Sequence, residues 1–246
     1  MIGRVHSIDT FSTLDGPGIR TVIFMQGCHL RCKYCHNPDT WKIKSPSAKE
    51  YSVDELMKII KRGKTYFEAS DGGITFSGGE PLLQYKFIKE IFIRCREEKI
   101  STAFDSSLYI SSNKIIDLLP YTDLILADIK QMDNKKSLYL TGSSNLLNLR
   151  NIELINEYGI PLWIRYVVVP GWTDASGDIK KMAHFAAGLS SVERIDLLPY
   201  HSLGMHKWEI LGLKYQLQDT IPPAQSLLQK LSKEISAISG KTVFIQ

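Results

Sequence analysis

The sequence predicts an α/β fold, a partial (β/α)6 TIM-like barrel. Short runs rich in Val, Ile, Thr and aromatic residues alternate with longer amphipathic stretches along the whole chain. A strand followed by a helix, repeated in this way, gives parallel strands joined by right-handed crossovers. The chain holds about six such units rather than the eight of a complete barrel, so the sequence favours a partial, open barrel.

The elements follow one another in a regular order. Runs typical of strands lie at residues 20–25, 73–76, 102–104, 124–127, 162–169 and 194–198. Stretches with apolar residues at helical spacing lie at 53–68, 85–98, 112–119, 145–158 and 178–189, and a last helix at 222–239 opens with proline. Ligands of such sheets bind at the carboxyl ends of the strands, so motifs that directly follow a strand are candidate site residues.

Length and composition indicate one globular domain over residues 1–246. Single α/β barrels commonly run to roughly 200–250 residues. Apolar residues make up 43% of the chain, and Gly and Pro number only 17 and 10, which excludes disordered and collagen-like classes. The net charge of +4 is too small for a histone-like protein, and the basic stretch 58–64 is typical of a solvated helix face. We therefore expect no nucleic-acid partner.

The N-terminus and the cysteines indicate the compartment. The first ten residues include Arg4, His6 and Asp9 and no apolar block, and no apolar run reaches the ~18–20 residues that a membrane helix needs. We expect a cytoplasmic protein without a membrane partner. Three of the four cysteines lie within eight residues, which argues against a disulfide framework and for reduced, metal-binding thiols.

The strongest motif is the C-x3-C-x2-C loop of Cys28, Cys32 and Cys35, directly after the first predicted strand. Zinc with His29 or His36 as the fourth ligand is one interpretation. A [4Fe–4S] cluster is the other, and three cysteines would leave one of its irons open to a small molecule. Zinc loops usually pair with a second ligand pair, which this chain lacks. The spacing favours the cluster and leaves zinc as the alternative.

Polar motifs follow three further predicted strands. Gly-Gly-Glu stands at 78–80, Asp-Ile-Lys at 128–130, and His201 follows the strand at 194–198. Taken singly, they are typical of a tight turn, a surface ion pair and a structural histidine. Together with the cysteine loop they occupy four strand ends, so we expect them to converge at one mouth of the barrel.

These residues resemble the radical SAM (S-adenosylmethionine) superfamily, whose cysteine loop carries an aromatic residue at the position of Tyr34. The longer blocks at 15–20 (Asp-Gly-Pro-Gly-Ile-Arg), 34–41, 163–172 and 197–208 are similar to the pyruvate formate-lyase activating enzymes. The resemblance covers nearly the whole chain. It implies a barrel of the radical SAM type, an oxidoreductase activity and anaerobic metabolism.

The resemblance also implies the reaction. A [4Fe–4S] cluster on Cys28, Cys32 and Cys35 would bind SAM and cleave it reductively to methionine and a 5′-deoxyadenosyl radical. That radical would take a hydrogen atom from a backbone glycine in the glycine loop of pyruvate formate-lyase, which becomes a glycyl radical enzyme. Family members commonly receive electrons from flavodoxin or ferredoxin and work as monomers.

The resemblance assigns the remaining site residues. The implied SAM contacts are Tyr34, Cys35, His36, Gly79, Asp128, Ile129, Lys130 and His201. Asp105 and Asp128 would hold a monovalent cation, although this chain reads Asp-Ser-Ser-Leu at 105–108 where the family often has Asp-Thr-Asn-Gly. The implied substrate contacts are Asp15, Gly16, Pro17 and Gly18. Arg165 is a further candidate contact, as the partner of a carboxylate, but it can equally belong to an ion pair within the barrel. No catalytic residue is expected beyond the cluster and SAM.

Two alternative functions stay open at this point. One is an activase of another glycyl radical enzyme, such as anaerobic ribonucleotide reductase or a diol dehydratase. Activases with an extra ferredoxin-like insert are disfavoured, because only Cys95 lies outside the loop. The other alternative is a zinc-stabilised binding protein that catalyses nothing.

Overall fold

The computed structural model describes residues 1–246 and contains nine strands and nine α-helices. The strands are β1 (Ile2–Ser12), β2 (Arg20–Met25), β3 (Lys49–Ser52), β4 (Gly73–Gly78), β5 (Ser101–Ser106), β6 (Leu124–Asp128), β7 (Leu162–Val168), β8 (Val192–Pro199) and β9 (Thr242–Ile245). The helices are α1 (Val53–Lys61), α2 (Lys64–Ser70), α3 (Tyr85–Glu97), α4 (Ser112–Ile116), α5 (Asn134–Thr141), α6 (Leu146–Glu157), α7 (Ser176–Ala187), α8 (Met205–Ile210) and α9 (Gln225–Ser239).

All strands belong to one sheet, in the order β3-β1-β2-β4-β5-β6-β7-β8-β9. The pairs β2/β4, β4/β5, β7/β8 and β8/β9 are parallel, as the alternation of strands and helices predicts. The six predicted strands correspond to β2, β4, β5, β6, β7 and β8. No helix combines the length and the apolar character that crossing a membrane requires.

Three strands were not predicted from the sequence, and two of them pair antiparallel. β1 pairs with both β2 and β3, and its residues alternate between buried and exposed only over its first half. Its polar residues hide the strand pattern, because an edge region of a sheet tolerates polar side chains on its open face. β3 and β9 have only four residues each, too few for periodicity to indicate a strand.

The helix predictions need four corrections. The predicted helix 112–119 ends at Ile116, and a short 3-10 helix follows at Leu119–Tyr121. The predicted helix 53–68 is two helices, because Gly63 separates α1 from α2 and a side chain there would meet the ring of Phe67 at 2.4 Å. α5 and α8 were not predicted, since helices of eight and six residues carry little periodic signal. The predicted helix 222–239 begins only at Gln225, after the two prolines.

The chain forms two compact units. Unit 1 comprises Met1–His29 and Thr40–Leu126, and unit 2 comprises Leu30–Asp39 and Ala127–Gln246. Fully buried side chains of unit 1 include Ile23, Phe76 and Phe92, and those of unit 2 include Tyr166 and Ile195. That residues 1–246 make a single domain stays a prediction.

Strand register brings the carboxyl ends of neighbouring strands to the same level within each unit. In unit 1, Met25 at the end of β2 is aligned with Gly78 at the end of β4. In unit 2, Val168 at the end of β7 is aligned with Pro199 at the end of β8. The segments that carry the candidate site residues leave the sheet at these ends.

Candidate active site

In unit 1, Gly79 lies directly against the backbone that leads to Cys28. Its N–H donates to the carbonyl of Met25 at 3.0 Å, and the next N–H, of Glu80, donates to the carbonyl of Gly27 at 2.7 Å. A Cβ at position 79 would lie 2.2 Å from the Gly27 oxygen and 3.2 Å from the Cβ of Cys28. Only glycine fits here, so packing requires this residue before any ligand binds. Its predicted contact with SAM stays a prediction.

Glu80 turns into unit 1 and holds the loop after β5. Its side chain is 1% exposed and accepts hydrogen bonds from the hydroxyls of Ser106 at 2.6 Å and Ser107 at 2.5 Å. The backbone N–H groups of Ser107 and Leu82 donate to it as well. Burial raises the pKa of Glu80, and these donors act in the opposite direction. The carboxylate therefore supports the site loops rather than reaching a ligand.

The serines that hold Glu80 belong to the loop in which this chain departs from the family pattern. Asp105 precedes these serines on β5 and accepts a hydrogen bond from the hydroxyl of Ser77 at 2.9 Å. Leu108 adopts a positive φ of 54°. No group of three or more His, Cys, Asp or Glu side chains is arranged to hold a single metal ion. The cation at Asp105 and Asp128 stays a prediction.

In unit 2, the second and third cysteines lie on a loop that is held by α5. The backbone N–H groups of Arg31 and Lys33 donate to the carbonyls of Thr141 and Leu140 at the end of that helix, at 2.8 and 2.9 Å. Cys32 is buried and Cys35 half-buried, and no cysteine of the chain forms a disulfide. This confirms the prediction that no disulfide framework is present.

Asp128, Lys130 and Tyr34 form a charged and largely buried group in unit 2. The ammonium of Lys130 lies 2.6 Å from the Asp128 carboxylate, and the two side chains are only 20% and 17% exposed. Burial acts to lower the pKa of Lys130, but Asp128, Tyr34 and Cys32 outweigh it and the pKa is raised. Burial raises the pKa of Tyr34, whose buried hydroxyl has no hydrogen-bond partner. The pair is thus not an ordinary surface ion pair.

Ile129 can offer a ligand only its backbone. Its side chain is fully buried, and its N–H already donates to the carbonyl of Arg165 at 3.0 Å. Arg165 itself stands opposite Asp196 in the β7/β8 register, and it acts to lower the pKa of that carboxyl, which burial raises. Asp196 is therefore a candidate partner for Arg165 in a barrel ion pair. The role of Arg165 as a substrate contact stays a prediction.

The two predicted histidines, His36 and His201, contact each other within unit 2. Their rings stack with centroids 3.9 Å apart, and Nε2 of His36 lies 2.8 Å from the backbone oxygen of His201, to which it donates. Burial lowers the pKa of both rings, and for His36 the neighbouring His201 lowers it further. The buried Nδ1 of His201 has no hydrogen-bond partner. The lowered pKa values favour neutral rings for His36 and His201, and the unpartnered Nδ1 of His201 can hydrogen-bond to a polar ligand.

The turn at 15–18 is built into unit 1 by Arg20. This fully buried guanidinium donates to the hydroxyl of Thr75 at 2.7 Å and to the carbonyl of Ile74 at 2.5 Å, and burial lowers its pKa to about 10. The hydroxyl of Thr75 donates in turn to the carbonyl of Asp15 at 2.6 Å. Pro17 is exposed at the tip of the turn. The turn is therefore held in place without a bound partner.

A substitution at Gly18 should destabilise the protein itself, whatever the role of this turn toward substrate. Gly18 has a φ of +65°, and an added Cβ would lie 2.2 Å from the carbonyl oxygen of Ser70. We expect Gly18→Ala to lower the free energy of unfolding by about 2 kcal/mol or more in urea denaturation. Gly159 has a similar φ of +72° and no atom within 4 Å, so Gly159→Ala is the matched control, at about 1 kcal/mol. Equal losses in the two variants would contradict the packing argument.

Three residues near the cysteine loop escaped prediction as site residues. Trp208 donates its indole N–H to the carbonyl of Cys35 at 2.8 Å. Gly204 lies against the backbone of His36, and Lys207 binds Asn37. All three belong to the block at 197–208, so the family resemblance was the signal that could have found them.

Comparison with known proteins decides the family. The profile of the Radical SAM superfamily matches residues 22–186. Over 227 residues, 90% of each chain, the sequence is 45% identical to the pyruvate formate-lyase-activating enzyme of Staphylococcus aureus strain USA300. The chain belongs to the radical SAM family of pyruvate formate-lyase-activating enzymes.

Solved structures agree with this family at the level of the fold. A domain of the pyruvate-formate lyase-activating enzyme of Bacteroides vulgatus superposes with a TM-score of 0.60 at 30% identity, covering 71% of this chain and 99% of that one. SuiB of Streptococcus suis, bound to its precursor peptide SuiA, gives a TM-score of 0.70 at 19% identity, covering 98% and 50% of the two chains. The predicted partial barrel of the radical SAM type is confirmed.

Membership of this family makes the protein an oxidoreductase that uses a [4Fe–4S] cluster and SAM. The donor set agrees with these cofactors, since none of the three loop cysteines is in a disulfide and the cysteine thiolate is the ligand that iron–sulfur clusters take. The unpartnered hydroxyl of Tyr34 and Nδ1 of His201 are buried polar atoms that a bound polar ligand can satisfy.

Proposed function

We propose that this chain activates pyruvate formate-lyase by generating a glycyl radical on its backbone. The observation that carries the proposal is the 45% identity, over 90% of both chains, to an enzyme with that name. The sequence comparison supports this substrate over anaerobic ribonucleotide reductase and diol dehydratase. We propose further that the protein is a cytoplasmic monomer that receives its electron from flavodoxin or ferredoxin.

The roles of the site residues are part of the proposal. Cys28, Cys32 and Cys35 would hold the cluster, which when bound supplies the electron that cleaves SAM. Gly79 would offer its carbonyl to the methionine amine, because its lack of a side chain keeps the backbone accessible. This role is compatible with the hydrogen bond that its N–H makes to Met25.

The polar residues of unit 2 would orient SAM. Asp128, Lys130 and His201 would bind its polar groups, and charge-assisted hydrogen bonds of this kind contribute about 1.5–3 kcal/mol each when desolvated. Tyr34, Cys35 and His36 would contact SAM beside the cluster, with Tyr34 near the adenine, and Ile129 would take part through its carbonyl alone. The stacking of His36 on His201 supports a fixed position for both rings.

The turn at 15–18 and Arg165 would contact the glycine loop of the substrate. Removing hydrogen from a Cα requires that two backbones approach closely, and a turn with two glycines permits this. The exposed position of Pro17 supports access from outside, and the anchorage of the turn on Arg20 supports a preformed surface.

Electron paramagnetic resonance tests the proposed substrate. The anaerobically reconstituted protein, incubated with SAM, a reductant and pyruvate formate-lyase, should produce the doublet of a glycyl radical. A pyruvate formate-lyase in which the radical-bearing glycine is alanine is the matched control and should give no doublet. A doublet formed only with another glycyl radical enzyme would overturn the substrate assignment. Zinc in place of iron and acid-labile sulfide would favour the binding protein instead.

A further inference from the structure

Residues 201–208 and 35–39, both in unit 2, are joined by several contacts. His201 stacks on His36 and accepts a hydrogen bond from its ring. Gly204 lies so close to the cysteine loop that a Cβ there would be 2.6 Å from the Cα of His36 and 2.7 Å from its carbonyl oxygen. We call residues 201–208 the clasp. The backbones of the clasp and the loop are thus in direct contact.

Polar side chains of the clasp extend this contact in both directions along the loop. Lys207 donates to the side-chain oxygen of Asn37 at 2.8 Å and lies 3.1 Å from the carboxylate of Asp39. On the other side, the indole N–H of Trp208 donates to the carbonyl of Cys35 at 2.8 Å. Trp208 is 5% exposed, so water competes little for this hydrogen bond.

Buried aromatic residues hold Trp208 in this position. The ring of Tyr215 meets the indole edge-on, with centroids 5.3 Å apart. The hydroxyl of Tyr215 lies 2.9 Å from that of Tyr200, which donates to the carbonyl of Leu217 at 3.2 Å. All of these side chains are at most 6% exposed. The position of the indole is therefore set by packing from behind and does not depend on its bond to Cys35.

We propose that the clasp fixes the third cysteine of the loop and that Trp208 is its positioning residue. The inference rests on the proposed role of Cys35 as a cluster ligand. The carbonyl and the Cβ of a residue are attached to the same Cα, so holding the carbonyl of Cys35 restricts the directions that its sulfur can take. Groups that orient a metal ligand in this way commonly change affinity for the metal by 10–100-fold when they are removed.

The test compares two tryptophan substitutions in the reconstituted full-length protein. Trp208→Phe removes the N–H but keeps most of the aromatic ring. We expect this variant to lose its cluster to an iron chelator about tenfold faster than the unsubstituted protein. The loss is measured anaerobically as the decrease of the cluster's visible absorbance. We also expect faster hydrogen exchange of the backbone amides at residues 35–39, a readout that needs neither SAM nor substrate.

The matched control is Trp163→Phe. Trp163 is also buried in unit 2 and also donates its indole N–H, but to the carboxylate of Glu193 at 3.1 Å. Trp163→Phe should leave the rate of cluster release and the hydrogen exchange at residues 35–39 unchanged. Should Trp208→Phe not fold, Lys207→Met replaces it, because this half-buried side chain can be changed without opening the core; we expect a release about twofold to threefold faster.

The outcomes separate the clasp from the proposed function. If the unsubstituted protein takes up no iron–sulfur cluster, the proposed function is wrong. If it holds a cluster and the clasp variants release it no faster than Trp163→Phe does, the clasp is wrong and the proposed function stands. Faster release together with faster exchange confined to residues 35–39 supports the clasp.

Discussion

Replacing any one of Cys28, Cys32 and Cys35 by alanine should abolish the cleavage of SAM. Each substitution leaves only two protein thiolates for a cluster that takes three from this loop. The measurement is the release of 5′-deoxyadenosine after anaerobic reconstitution, with a reductant and SAM present. Iron and acid-labile sulfide measured on the same samples show whether the loss of activity follows the loss of the cluster.

Cys95→Ala is the matched control for the three loop variants. Cys95 is fully buried in unit 1, and its sulfur lies 4.0 Å from that of Met57. Burial raises the pKa of its thiol to about 12, so it is not a thiolate at neutral pH. We expect this variant to keep its cluster and most of its activity. Undiminished cleavage in any loop variant would refute the ligand assignment.

Glu80→Ala should produce the largest loss of stability among single substitutions at the site. The change leaves the hydroxyls of Ser106 and Ser107 and two backbone N–H groups without their acceptor inside unit 1. Each buried donor left unpaired costs about 1–3 kcal/mol, and the removal of a buried charge offsets part of the sum. We expect the free energy of unfolding to fall by about 3 kcal/mol or more, measured in urea.

Two further substitutions make the Glu80 result interpretable. Glu80→Gln keeps one acceptor oxygen, so we expect it to lower the free energy of unfolding by less than Glu80→Ala does. Glu98→Ala removes a carboxylate that pairs with Lys61 and Lys64 at the surface, and such pairs contribute about 1 kcal/mol or less. If Glu80→Ala costs no more than Glu98→Ala, the carboxylate does not hold the loop after β5.

Local signals account for what could be predicted. Three cysteines within eight residues need no knowledge of the fold to indicate a common metal centre, because the chain itself keeps them close. The strands β2, β4 and β7 were found because buried parallel strands are continuous apolar runs. β1 was missed because its polar residues hide the strand pattern, while its pairing with β2 and β3 holds it in the sheet.

The roles of individual side chains depended on contacts between distant parts of the chain. Glu80 looked available for a ligand, yet Ser106 and Ser107, 26 and 27 residues away, hold it inside unit 1. The pair of Asp128 and Lys130 looked like a surface ion pair, and the structure buries most of both side chains. Burial cannot be derived from the spacing of two residues, because it depends on what packs over them.

By itself, the sequence determined the fold class, the family and the grouping of three cysteines on one loop, since each of these is encoded in residues that are neighbours along the chain. Only the tertiary structure decided that Trp208 binds the carbonyl of Cys35, across a separation of 173 residues. A hydrogen bond over that distance exists only when both segments are folded and packed, and no local pattern in either segment specifies the other as its partner.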